Sequence, residues 1–154
     1  MDDLSKLTKV YQGEYLDIYK VDTSKSQEFP FYDLGISCGF PSPANDFIEE
    51  RIDLNKYVVA NPAATFFARA KGLSLVDVGI ADNDLLAIDR GITPKDGHLA
   101  ACFIDGDFIA KRLKVDQSGL WLMPANSNYK PIQVTAFNKF IIWGVITHSI
   151  RRYI

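Results

Sequence analysis

The second half of the chain is a succession of short β-prone runs cut apart by turn dipeptides, and this punctuation limits what it can fold into. The runs cover residues 64–70, 84–89, 98–104, 107–115, 120–123, 131–135 and 140–153. Asp96-Gly97, Asp105-Gly106 and Ser118-Gly119 stand at the boundaries, where such dipeptides supply the positive-φ positions of tight turns. Asp105-Gly106 is the strongest of these signals, a two-residue turn joining the run at 98–104 to the run that holds Lys111. Two-residue connections join antiparallel neighbours, so the pattern predicts a mainly β, antiparallel body.

Residues 1–45 read differently: charges, tyrosines and Ser/Thr mix without a sustained period and finish in Gly39-Phe-Pro-Ser-Pro43. This composition predicts an extended N-terminal arm. Leu4, Leu7 and Tyr11, then Tyr15 and Tyr19, also fit a broken helical stripe around Gly13, although an arm lying across a body gives much the same spacing. Next, Asp46-Phe-Ile-Glu-Glu-Arg51 and Asp53-Leu-Asn-Lys-Tyr-Val-Val59 predict two short helices, each opened by an aspartate able to cap free N–H groups. The expected organisation is an arm over 1–45 and a β-rich domain over 46–154.

A chain of 154 residues can bury one apolar core without disulfides or metal. Its formal charge of −2 comes with no basic stripe to follow a phosphate backbone, which argues against direct, sequence-specific nucleic-acid binding. Cys38 and Cys102, in dissimilar settings, indicate neither a disulfide framework nor a thiolate metal site. The opening Met-Asp-Asp is unlike a signal peptide, and the apolar run at 140–150 is broken by Gly, Thr, His and Ser and is too short to span a bilayer. A cytoplasmic protein with no membrane segment and no cofactor is expected.

Alternation along 107–115 places Lys111 with Ile109, Leu113 and Val115, while Arg112 shares the other, mixed and solvated face with Phe108, Ala110 and Lys114. Withdrawing an ammonium from water without a partner lowers its pKa, which turns a buried lysine into a candidate general base. The competing reading lets Lys111 snorkel to water at a sheet edge. Ser74, in Lys71-Gly-Leu-Ser-Leu75, follows a predicted strand across Gly72 and precedes Leu75-Val-Asp-Val-Gly79, which predicts a single helical turn. A serine at such a junction sits beside free backbone N–H groups, useful for stabilising an oxyanion, though the same residues are ordinary turn chemistry. A neutral lysine beside a serine can take the hydroxyl proton during attack on a carbonyl. His98 and His148 have no nucleophile elbow or regular metal-ligand spacing around them and read as structural, and no phosphate loop of Walker or Rossmann spacing occurs.

Six stretches taken in order carry a more specific signal: Cys38-Gly-Phe-Pro-Ser-Pro43, Arg51-Ile-Asp-Leu-Asn55, Lys71-Gly-Leu-Ser-Leu75, Gly79-Ile-Ala-Asp-Asn-Asp-Leu-Leu86, Asp105-Gly-Asp-Phe-Ile-Ala-Lys-Arg-Leu113 and Met123-Pro-Ala-Asn-Ser-Asn-Tyr129. Together they resemble the LexA/UmuD family of self-cleaving serine-lysine peptidases, from about residue 37 to the C-terminus. The resemblance implies a compact antiparallel β body, Ser74 as nucleophile and Lys111 as general base. It also implies self-cleavage at Cys38-Gly39, parting residues 1–38 from 39–154. Gly39 offers no side chain to obstruct attack, and Pro41 and Pro43 favour extended backbone around it.

In that family a RecA filament on single-stranded DNA stimulates the cut during the SOS response. The shortened homodimer joins UmuC in the translesion enzyme DNA polymerase V, with replicative polymerase subunits as further contacts. A non-cleaving protein that binds UmuC or a sibling UmuD is the alternative function. Three features depart from the family pattern: Leu73 stands where UmuD proteins have aspartate and LexA methionine, Leu75 replaces a methionine of similar volume, and the segment before Cys38 is longer and unmatched.

Overall fold

The computed structural model describes residues 8–20, 22, 24–32 and 49–154. Its strands are β1 (Thr8–Gln12), β2 (Leu16–Lys20), β3 (Glu28–Tyr32), β4 (Glu49–Asp53), β5 (Thr65–Ala70), β6 (Leu85–Asp89), β7 (Leu99–Ile104), β8 (Asp107–Asp116), β9 (Gly119–Met123), β10 (Ile132–Gln133) and β11 (Phe140–Ile150), with helix α1 at Leu54–Val58. Among the described residues nine strands form one sheet in the order β1-β2-β5-β6-β11-β7-β8-β9-β10, and β3 pairs with β4 separately. Every pairing among the described strands is antiparallel, as the turn punctuation predicts. At the turn between β7 and β8, Asp105 and Gly106 take φ of 50° and 109°, the positive values a tight hairpin turn requires.

All seven expected runs become strands, and the differences lie at their ends. The run at 131–135 keeps only Ile132–Gln133 as strand. The last run stops at Ile150, beyond which Arg151 turns aside to bind Asp84. The apolar run at 140–150 lies between β6 and β7, where Val145 and Ile146 are buried while Ile141 and Ile150 stay exposed. No helix among the described residues is long and apolar enough to cross a membrane.

Three expectations are corrected. The helical stripe around Gly13 does not form: Thr8–Gln12 and Leu16–Lys20 are strands, and β2 pairs with β5 from Leu16↔Ala70 to Lys20↔Phe66. Leu16 and Ile18 are each 1 % exposed, so this stretch belongs to the core of the sheet instead of lying across it. The helix expected to open at Asp46 is also replaced, since residues 49–53 form β4 and find a complete ladder on β3, from Glu28↔Asp53 to Tyr32↔Glu49. The second helix forms as α1, its first turn capped by the Asp53 carboxylate, which accepts from the Asn55 N–H at 2.9 Å.

The third correction concerns the two faces of β8. Ile109 and Leu113 join Ala100, Cys102 and Leu122 in one buried cluster. The face expected to be solvated is covered near its start: Phe108 and Ala110 pack on a second cluster containing Leu16, Ile18, Leu75, Leu86 and Ile88. Val115 is 59 % exposed because β8 outruns the core before its end. The sheet also curls far enough for β2 to pack on β8. Tyr11 thereby meets Phe108 edge-on, with ring centroids 4.7 Å apart.

Candidate active site

Ser74 sits on a loop pinned by backbone hydrogen bonds. After β5, Gly72 takes a φ of 85°, and its N–H donates to the Asp82 carboxylate at 2.7 Å. The Leu73 carbonyl accepts from the Asn126 side chain at 2.9 Å, and the Ser74 carbonyl accepts from the Ala125 N–H at 2.7 Å. A single 3-10 turn over Val76–Val78 follows and ends at Gly79, whose φ is 84°. This is the one-turn helix expected from the sequence. Among the described residues the N–H groups of Ser74 and Leu75 have no protein acceptor, which leaves two donors on the serine's own turn.

Two long-range ion pairs fasten this loop. The Lys71 ammonium donates to the Asp17 carboxylate at 2.8 Å and to the Gly13 carbonyl at 2.7 Å, while the Lys71 N–H donates to the Tyr15 carbonyl at 3.1 Å. Burial pushes the Asp17 carboxyl up, but the Lys71 ammonium, with help from Lys9 and the Gly13 N–H, outweighs it and holds the group below its ordinary value. On the far side, Arg151 donates to both oxygens of Asp84, at 2.9 and 2.7 Å, and to the Gly79 carbonyl. Sequence reasoning missed Asp17, Lys71, Asp84 and Arg151 because no local pattern shows that residues this far apart in the chain will meet.

Lys111 lies on β8 opposite Ala100 and is only 8 % exposed. Among the described residues no carboxylate pairs with it; its ammonium lies 5.6 Å from the centroid of the Tyr129 ring. Burial holds the Lys111 pKa below that of an ordinary lysine. Yet no buried side-chain nitrogen or oxygen is left without a partner among the described residues, so the ammonium is not sealed in the core. It opens onto a cavity of about 560 Å³ that Ser74 also lines, together with Tyr15, Leu16, Leu73 and Tyr129.

The structure thus brings Ser74 and Lys111 to one cavity. Cys38 and Gly39 lie outside the described residues. Neither histidine lines the cavity: His98 accepts from the Lys95 N–H, and His148 packs beside Tyr57. Tyr129 belongs to a motif read from the sequence, but its place beside Lys111 depends on the path of the loop after β9.

A family model described as Peptidase S24-like matches residues 30–147. The chain belongs to this peptidase family. Protein MucA of Salmonella typhimurium is 36 % identical over 137 residues, which cover 88 % of this chain and 93 % of MucA. Protein ImpA of the same species is 43 % identical over 115 residues, covering 74 % of this chain and 77 % of ImpA. The LexA repressor of Acidithiobacillus ferrooxidans is 33 % identical over 119 residues, or 75 % of this chain and 58 % of the repressor.

As an S24 family member with UmuD-like and LexA relatives, the protein is of the self-cleaving serine peptidase kind and of SOS-related function. Its two departures beside Ser74 have simple physical settings in this S24 domain. Leu73 is 50 % exposed, so little packing depends on which side chain stands there. Leu75 is core, where leucine fills the space a methionine would.

Proposed function

We propose that Ser74 and Lys111 are the nucleophile and general base of a peptidase that cuts its own Cys38-Gly39 bond. The observation that carries this reading is that a serine on a pinned turn and a buried lysine with no carboxylate partner among the described residues line one cavity. Ser74 Oγ attacks the Cys38 carbonyl carbon and gives its proton to neutral Lys111 Nζ. The oxyanion takes hydrogen bonds from the N–H donors of the serine's turn. Collapse breaks the C–N bond, and Lys111 returns the proton to the departing Gly39 amine. One water, deprotonated by Lys111, then hydrolyses the acyl ester, leaving a carboxylate on Cys38 and Ser74 restored.

Cutting is slow at rest because two unfavourable conditions must coincide: the Cys38-Gly39 bond of the arm has to dock at Ser74 and Lys111 has to be neutral. A RecA filament on single-stranded DNA accelerates it by favouring the docked segment, a shift of population and not a new chemistry. The cut homodimer then joins UmuC in translesion synthesis, in contact with replicative polymerase subunits. Mass spectrometry of the purified chain, with and without an activated RecA filament, tests this reading. The expected product begins at Gly39 and is missing in Ser74→Ala. A chain that stays whole under both conditions overturns it and favours the alternative, a UmuD-like protein that binds polymerase subunits without cutting.

A further inference from the structure

We infer that self-cleavage leaves residues 1–38 bound to residues 39–154, so that the product is a two-chain domain whose N-terminal fragment serves as a non-covalent partner strand. This rests on the cleavage site of the proposed function, since a cut at Cys38-Gly39 places β1, β2 and β3 on one side and the remaining strands on the other.

The fragment is joined to the body at three places. β2 lies between β1 and β5 and continues the ladder of the main sheet through five residue pairs, from Leu16↔Ala70 to Lys20↔Phe66. Its side chains are buried on both faces: Leu16 and Ile18 enter the core cluster with Ala68, Ala70 and Leu86, while Asp17 and Tyr19 are also buried. Beside it, Lys71 donates to Asp17 and to the Gly13 carbonyl, and Tyr11 stacks edge-on against Phe108. Lastly, β3 pairs with β4, and these two strands flank the scissile bond in sequence.

Breaking one peptide bond removes none of these contacts. Losing the fragment would strip β5 of one of its two neighbours, expose an unpaired strand edge and uncover core residues. It would also remove Glu14, Tyr15 and Leu16 from the wall of the cavity that holds Ser74 and Lys111. The fragment is therefore held as a strand of the sheet, and the cut separates the chain ends without dismantling the site.

Cleavage and retention are scored separately on the full chain. Denaturing mass spectrometry reads whether the Cys38-Gly39 bond is cut; native gel filtration with mass analysis of each peak reads whether the pieces stay together. The expected result is two masses in one native peak, and elution of residues 1–38 apart from residues 39–154 would overturn the inference. Should the chain not cut itself, the proposed function fails while retention is still tested: Ser74→Ala carrying a site-specific protease sequence in place of residues 35–40, across the Cys38-Gly39 bond, is nicked by that protease. Persistence of the N-terminal piece in the native peak supports the inference, and its separation overturns it. Asp17→Asn in the nicked chain should release the piece about tenfold faster, because it removes a charged hydrogen-bond partner from the Lys71 clamp.

Discussion

In the proposed mechanism, Lys111 is the residue on which stability and chemistry pull in opposite directions. Strand alternation alone marked it as inward-facing, because Arg112 beside it supplied the contrast, and it is buried as that alternation predicts. What alternation does not show is where β8 leaves the core, so it groups the exposed Val115 with the buried residues. Burial holds the Lys111 pKa down. Between the folded value and the unfolded value of about 10.4, the unfolded chain binds a proton that the folded chain does not. Folding stability attributable to this group therefore rises with pH across that window and is lowest below the folded pKa. Lys111→Met should raise the urea midpoint at neutral pH, lose that advantage as pH approaches the unfolded lysine value, and abolish cleavage. Denaturant titrations of both chains at two pH values check the sign.

At the scale of elements, the strands with turn dipeptides at their ends were legible, and those defined by a distant partner were not. β1 and β2 carry tyrosines at helix-like spacing, and only β5, about fifty residues further on, decides in favour of strand. β4 likewise reads as a capped helix until β3 supplies its ladder. The Lys71-Asp17 clamp that secures β2 should be sensitive to acid. Since the Asp17 pKa is depressed on folding, its contribution is present above the unfolded value and is lost as pH falls through the folded one. Asp17→Asn should cost about 1.5 kcal/mol or more at neutral pH, with the difference from the parent vanishing on acidification. Within β11, a Cβ on Gly144 would meet Ile88 Cγ2 at 2.7 Å and the Asp89 carbonyl oxygen at 3.2 Å. Gly144→Ala should therefore lose about 1–3 kcal/mol, read as a lower urea midpoint with an unchanged slope.

At the scale of the molecule, the sequence indicates an antiparallel β body but not the order of its strands. That order decides the site, because curling brings β2 against β8 and lets the hairpin of residues 8–20 wall a cavity built mainly from β8 and the loops that follow β5 and β9. Ser74 and Lys111 could be named from motifs, whereas the Tyr15 and Leu16 wall, the Tyr129 ring over the ammonium and the Arg151-Asp84 tether follow only from the topology. The central claim is that neutral Lys111 takes the proton of Ser74 inside this cavity. It is tested most directly by the rate of appearance of the fragment beginning at Gly39, measured against pH in the parent chain and in Lys111→Ala. The account predicts a rate that rises and then levels off, with its midpoint below the ordinary lysine value of about 10.4, and a drop of roughly 10,000-fold in the variant. A rate that climbs with hydroxide without levelling, equally in both chains, would contradict it.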